Sequence, residues 1–240
     1  MAKAYISEIF DSIQGEGIFA GARQIFIRFS GCNLKCSYCD TKKIRQKMCR
    51  VQRTGCREKI KNPLNATEVI RIMKKYDKAK LYHSVSLTGG EPLLQADFLK
   101  EFMPILKKMG LKIYLETNGT LPQSLKKVIS FIDFIAMDIK LPSAISRSFW
   151  SEHKKFFEAG KKKKFVKVVI DPKTKLHEVM KAAKLVASVN NKTPFVLQPA
   201  TLKNKKIFNI EKLLFFQKEV LSILEDVRII PQMHVMLGIK

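Results

Sequence analysis

Short runs rich in β-branched and aromatic residues alternate with longer amphipathic stretches along most of this 240-residue chain, and that alternation leaves few folds open. Strands are predicted over Gln24–Phe29, Ser84–Thr88, Lys112–Glu116, Phe134–Asp138, Phe165–Ile170, Pro194–Gln198 and Asp226–Ile230. Between most of them the 3.6-residue periodicity predicts helices over Ala66–Lys75, Ala96–Met109, Pro122–Ile129, Arg147–Ala159, Lys175–Ser188 and Ile210–Leu224. Parallel neighbours require crossover connections, so the pattern implies a parallel sheet. Six such units are too few for a closed eight-stranded barrel. The expected fold is therefore α/β: a partial, open, TIM-like (β/α)6 barrel forming one domain over residues 1–240. Chemistry in such architectures gathers at the C-terminal ends of the strands. Gly89-Gly90, Thr117-Asn118, Lys140 and Pro199 all fall just past predicted strands.

One stretch, from about 42 to 63, shows little periodicity and reads as an inserted basic loop carrying Cys49 and Cys56. Elsewhere no apolar run approaches the roughly 18 residues that suggest a membrane span. Polar Asp11 and Ser12 follow MAKAYISEIF at once, so no secretory leader is expected and the cytoplasm is the default address. The formal net charge of +24 favours anionic partners. The cations, however, are spread as pairs, with one dense block from Lys161 to Lys164 and no arginine-rich arm. A nucleic-acid partner is not required to explain them.

All the cysteines, Cys32, Cys36, Cys39, Cys49 and Cys56, lie in the first quarter of the chain, and their number is odd. Clustering of this kind points to metal binding rather than to a disulfide framework. Cys32, Cys36 and Cys39 are spaced C-x3-C-x2-C within G-C-N-L-K-C-S-Y-C-D-T, residues 31–41. Three thiolates supply three ligands to a [4Fe–4S] cubane and leave the fourth iron open, whereas electron-transfer clusters use four cysteines. Zinc is the other metal reading; it prefers four protein ligands, which Cys49, Cys56 or a histidine could complete.

The C-x3-C-x-(aromatic)-C spacing, with Tyr38 as the aromatic, resembles the radical S-adenosylmethionine (SAM) superfamily. That resemblance implies a [4Fe–4S] cluster on Cys32, Cys36 and Cys39 whose open iron chelates SAM. Thr88-Gly89-Gly90-Glu91-Pro92 resembles the superfamily's GGE(P) element. Two glycines allow close backbone approach to a ligand, and Glu91 offers an acceptor to the methionyl ammonium, although GG followed by EP is by itself a good turn. Glu116-Thr117-Asn118-Gly119 looks like the family's E-T-N-G, or an ordinary Asn-Gly turn. Asp138, Lys140 and Gln198 end later strands and are expected, with Asp40, Gly89, Gly90, Glu116 and Asn118, to line the cofactor.

The flanks narrow the resemblance. Ser12-Ile13-Gln14-Gly15-Glu16-Gly17, Arg28 one strand later, and Cys39-Asp40-Thr41 are similar to the 7-carboxy-7-deazaguanine synthase family, as are M-D-I-K-L-P at 137–142, L-Q-P at 197–199 and I-P-Q-x-H at 230–234. This implies conversion of 6-carboxy-tetrahydropterin to 7-carboxy-7-deazaguanine with loss of ammonia. The expected substrate contacts are Ile13, Gln14, Gly15, Glu16, Arg28, Thr88, Gln232 and His234, with Arg28 gripping the carboxylate bidentately. The resemblance also implies Mg²⁺ on the Thr41 hydroxyl, a flavodoxin- or ferredoxin-type reductant and a homodimer. Plainer readings stand beside these: Arg28 as a structural ion-pair residue, Thr41 as a helix cap, His234 as a satisfied half-buried histidine. The rival functions are a glycyl-radical activase, a radical SAM enzyme acting on tRNA, and a basic zinc-containing nucleic-acid-binding protein.

Overall fold

The computed structural model describes residues 1–39, 45–53, 56–76, 81–160, 163–202, 205–206 and 209–239. Its frame is one ten-stranded sheet. The strands are β1 (Ile6–Ile13), β2 (Arg23–Phe29), β3 (Met48–Arg53), β4 (Cys56–Lys61), β5 (Ser84–Gly89), β6 (Ile113–Thr117), β7 (Phe134–Asp138), β8 (Lys163–Ile170), β9 (Phe195–Pro199) and β10 (Val227–Ile229). Their spatial order is β10-β9-β8-β7-β6-β5-β2-β1-β3-β4. Every neighbouring pair from β2 to β10 is parallel. The two end strands do not pair, so the barrel is open, as the strand count implies.

The crossovers carry α1 (Ala66–Met73), α2 (Ala96–Lys108), α3 (Pro122–Lys126), α4 (Pro142–Ile145), α5 (Trp150–Ala159), α6 (Leu176–Ala187) and α7 (Ile210–Leu221); α4 was not expected, and the others fall on the stretches predicted helical. Asn65 caps α1 by accepting from the Glu68 N–H at 3.0 Å while Glu68 accepts from the Asn65 N–H at 2.7 Å. The helices bury one apolar stripe each, as α2 does with Phe98, Leu99, Phe102, Met103 and Leu106. Side chains of that size stabilise by roughly 1.5–3 kcal/mol apiece when removed from water.

Alternation along the strands sorts this core from the site. Ile25, Ile27, Val85, Leu87, Ile113, Leu115, Val166 and Val168 face the helices and belong to the large apolar cluster. The intervening positions point into the barrel. There the strands carry Gln24 and Arg28, Ser84, Ser86 and Thr88, Glu116, Asp138, and Lys167. The barrel interior is thus polar towards its C-terminal end, and a small cluster of Tyr114, Phe134, Ala136, Phe165 and Val196 closes it below.

The 42–63 insertion is not a loop. Met48–Arg53 and Cys56–Lys61 form an antiparallel hairpin whose first strand pairs in parallel with β1, extending the sheet by two strands. Alternation is present there, with Cys49 and Val51 buried, but the opposite positions carry Arg50, Arg57, Lys59 and Lys61. Charge on an exposed edge hides a strand from a hydrophobicity reading while blunting edge-to-edge pairing. The sequence also gave no sign that Ile6–Ile13 runs antiparallel to β2. That direction matters, because it delivers residues 14–22 to the N-terminal end of the parallel strands, opposite the cysteine loop. They tuck into the barrel as a floor, with Phe19 against Phe134 at 4.9 Å and Tyr114 at 5.8 Å.

Candidate active site

The sheet's open interior forms a concave cleft of the kind in which small molecules bind. The expected residues Ile13, Gln14, Gly15, Glu16, Arg28, Cys32, Cys36, Tyr38, Cys39, Thr88, Gly89, Gly90, Glu116, Asn118, Asp138, Lys140, Gln198, Gln232 and His234 all line it. Asp40 and Thr41 lie outside the described residues.

The cysteine loop follows β2 and is held from below. Asn118 donates to Asn33 Oδ1 at 2.9 Å, and Asn33 donates to Thr120 Oγ1 at 2.8 Å. His153, missed from sequence, supports the same turn by donating from Nε2 to the Asn118 carbonyl at 3.1 Å. Burial lowers its pKa to about 4, so it is neutral at pH 7. Cys32 and Cys36 are half-buried and Cys39 is exposed. Burial pushes Cys36 up to about 11 and raises Cys32, so both are thiols until a metal displaces their protons. Among the described residues, no three His, Cys, Asp or Glu side chains converge on a point for a single metal ion. A cubane asks for something different, one thiolate on each of three separate irons, and the loop supplies that donor set.

Glu91 does not face the cleft. It is fully buried, and its oxygens accept from Leu93 N–H at 3.0 Å, Thr117 Oγ1 at 2.9 Å and Asn118 N–H at 2.8 Å. Burial raises its pKa to about 7 against those donors. It ties the GG turn to the end of β6. Asn118 likewise spends its side chain on Asn33, Thr120 and the Cys32 thiol.

Two buried acceptors in the same region have no partner among the described residues: Asp138 Oδ1 and Gln198 Oε1. Unpaired buried acceptors are costly and mark where a ligand brings donors. SAM, with an ammonium and two ribose hydroxyls, brings donors of that kind, so the residues present fit it.

On the floor side, Gln14 donates to Glu116 Oε1 at 2.8 Å and Gln24 Oε1 at 3.1 Å, while Thr88 donates to Glu116 Oε2 at 2.6 Å. Arg28 lines the cleft and also pairs with Glu8 at 3.4 Å; Arg50 of the hairpin holds Glu8 from the other side at 2.5 Å. The ion-pair reading of Arg28 is thus present, in a residue that also lines the cleft.

Glu16 is paired with Lys167 and accepts from Gln232 at 2.7 Å. Lys167 also reaches Asp138 at 3.2 Å, and Asp138 pairs with Lys140 at 2.8 Å. Burial would raise the Glu16 carboxyl, but Lys167, Gln232 and His234 bring it down to about 2. Lys167 was not among the expected site residues. Its signal was a lone cation at an inward position of the apolar run Phe165–Ile170, which is costly unless paired.

The C-terminal turn closes on the floor: Met233 N–H donates to the Gly15 carbonyl at 2.8 Å, and a Cβ on Gly15 would stand 2.1 Å from His234 Nδ1. Gly15→Ala must push His234 and its turn outward. We expect it to raise the substrate KM about tenfold, equivalent to 1.4 kcal/mol, with a smaller change in melting temperature; steady-state kinetics beside a thermal melt checks this.

Three comparisons bear on this geometry. The model of the Radical SAM superfamily matches residues 26–197. A 7-carboxy-7-deazaguanine synthase of Geobacter sulfurreducens is 38% identical over 98% of this chain and 97% of its own length. The synthase of Archaeoglobus fulgidus is also 38% identical, over 99% of this chain and 100% of its own. Among solved structures, QueE from Escherichia coli superimposes with a TM-score of 0.61 at 18% identity, covering 97% of this chain and 95% of that one. Streptococcus suis SuiB bound to S-adenosylmethionine gives 0.56 at 17% identity, covering 83% of this chain and 45% of that one.

Proposed function

This chain belongs to the radical SAM superfamily, among its 7-carboxy-7-deazaguanine synthases, and on that premise we propose that its cleft converts 6-carboxy-5,6,7,8-tetrahydropterin to 7-carboxy-7-deazaguanine with loss of ammonia, a step of queuosine-type deazapurine biosynthesis. The observation that carries the reading is the make-up of one cleft, whose lining brings the three cysteines and two unpartnered acceptors together with amide, hydroxyl and carboxylate groups and one arginine.

When bound, the [4Fe–4S] cluster and SAM supply the one-electron chemistry that yields a hydrogen-abstracting radical. The chain's own residues do the rest by holding and excluding. Cys32, Cys36 and Cys39 would hold the cluster; Asp138 Oδ1 and Gln198 Oε1 accept from SAM. Arg28, kept in the cleft by Glu8, grips the substrate carboxylate. Gln14, Thr88 and Glu116 form a hydrogen-bonded wall that reads the pterin's guanine-like edge, and Glu16 accepts from its N–H donors. Phe19, Tyr114 and Phe165 close the barrel below and keep water from the reacting ring.

Further parts belong to the same reading. Thr41 would hold Mg²⁺ through its hydroxyl, in keeping with the oxygen preference of that ion. A flavodoxin- or ferredoxin-type protein delivers the electron, and the enzyme works as a homodimer. The proposed address is the cytoplasm. Among the described residues no helix is long and apolar enough to cross a membrane. A reaction on a small pterin does not require nucleic acid.

The test is anaerobic reconstitution with iron and sulfide, followed by SAM, Mg²⁺, reductant and the pterin, with products read by mass spectrometry. Formation of 7-carboxy-7-deazaguanine is the expected result. Formation of 5′-deoxyadenosine alone would leave radical SAM chemistry standing and defeat the pterin assignment.

A further inference from the structure

Four charges of alternating sign run across the cleft from the floor to the cofactor end: Glu16, Lys167, Asp138 and Lys140. Lys167 is the member that touches both carboxylates, and its side chain is only 12% exposed. We propose that Lys167 is a positioning residue that fixes the Glu16 carboxylate, charged and correctly aimed, as the acceptor for the pterin's N–H donors. The proposal rests on the functional reading above and adds a residue to it.

The argument begins with what each carboxylate would keep if Lys167 were gone. Asp138 would keep Lys140 at 2.8 Å. Glu16 would keep the neutral amide of Gln232 and a more distant His234. Around it stand Tyr114, which also lies near Glu116, and His234 on the C-terminal turn, with Asp138 and Lys140 on the far side of Lys167. Lys140 is paired with Asp138, and among the described residues Lys167 is the cation paired with Glu16. A buried carboxyl without a cation takes up a proton, because burial disfavours the charged form. A protonated Glu16 presents one donor and loses acceptor capacity, so it no longer receives the pterin edge. The consequence is asymmetric: the substrate side fails and the SAM side persists.

The pH dependence follows from the same pairing. In the wild type the Glu16 pKa is lowered to about 2, so its contribution to stability is fully present above the unfolded value near 4.5 and is lost as pH falls towards 2. In Lys167→Met the folded pKa rises above the unfolded one. The sign reverses, and the variant's deficit against wild type widens as pH rises from 5 to 8.

The experiment uses Lys167→Met, Lys167→Arg and the double variant Lys167→Met/Glu16→Gln. Equilibrium dialysis of 6-carboxy-tetrahydropterin against cluster-loaded, SAM-bound enzyme at pH 7 is expected to show Kd raised about tenfold or more in Lys167→Met, the scale of one charge-assisted hydrogen bond. SAM affinity should change by less than about threefold, well inside the tenfold that 1.4 kcal/mol represents. Lys167→Arg, which keeps the charge, should restore most of the pterin affinity. Thermal melts of the chain without cofactors should show the Lys167→Met deficit widening by roughly 4 °C between pH 5 and pH 8, and the double variant should abolish that widening.

Unchanged pterin binding in Lys167→Met would overturn the proposal, and so would widening that survives in the double variant. An arginine variant as impaired as the methionine variant would reduce Lys167 to a space-filling role and also overturn it. Should Lys167→Met not fold, Glu16→Gln decides: its stability difference from wild type must shrink as pH falls from 4.5 towards 2, and a constant difference refutes the pairing. If the wild-type enzyme binds no pterin, the functional reading fails and takes the substrate half of this proposal with it. The melts then still decide the pairing of Lys167 with Glu16.

Discussion

Cys36→Ala protein, reconstituted anaerobically with iron and sulfide, is expected to form neither 7-carboxy-7-deazaguanine nor 5′-deoxyadenosine above background. The reason is ligand count. A cubane held by three thiolates has one open iron for SAM; with two ligands left, the cluster has no fixed seat. Cys36 is half-buried on the cleft wall, and its thiol, pushed up to about 11 by burial, becomes a thiolate only by giving its proton up to bound metal. Cys32→Ala and Cys39→Ala should behave alike. Cys49 makes the informative contrast, because it too is a free thiol raised by burial, to about 12, but it lies in the helix-facing core of the hairpin. Cys49→Ala should retain iron and activity and show only a packing cost. Iron content, visible absorption and product analysis on the four variants check the prediction. Activity surviving in Cys36→Ala would refute the cluster assignment.

Gly90→Ala is expected to be the most damaging single methyl group in the chain. A Cβ there would stand 1.8 Å from the Gly31 carbonyl oxygen and 2.5 Å from its carbon. Both are backbone atoms, and they belong to the turn that opens the cysteine loop. The Glu91 N–H donates to that same Gly31 carbonyl at 2.8 Å, so the two turns are already fastened together. No side chain can swing aside, and the strand end and the cluster loop must separate. Overpacking of this kind costs about 3 kcal/mol or more, which for a chain of this size lowers the melting temperature by roughly 6–12 °C. SAM affinity should fall along with stability, because the GG turn and the loop it supports form the cofactor end. Gly110 is the control. Nothing lies within 4 Å of its Cβ, and its φ of +75° alone makes alanine costly, by about 1–2 kcal/mol. A Gly90→Ala melting temperature within a degree or two of the Gly110→Ala value would show that the contact is not rigid.

The residues read correctly from sequence are those whose chemistry shows locally. The cysteine spacing, the GG turn at the end of β5 and the place of Thr88 beside that turn all follow from spacing along the chain. The internal bonds of Glu91 were not legible in the sequence, because a carboxylate beside two glycines looks the same there whether or not it is tied behind the turn. Its three internal donors come from residues 93, 117 and 118, and the bonds from 117 and 118 arise only when β5 and β6 are paired. Lys167 escaped notice for a related reason. A cation in an apolar strand signals a partner, but the partners are 151 residues away at Glu16 and 29 away at Asp138, and no local pattern names them.

Composition and periodicity determined the parallel sheet, its open form and the edge on which the chemistry gathers, because those depend on which residues can be buried next to their neighbours in sequence. Direction and coupling were decided by tertiary structure. β1 runs antiparallel to β2, so residues 14–22 enter the barrel from the end opposite the cysteines and become a floor. The charged hairpin at 48–61 joins the sheet because β1 offers it an unpaired edge. Glu16, Lys167, Asp138 and Lys140 form one row because burial makes each charge costly alone, and only the closed fold brings the opposite signs within reach.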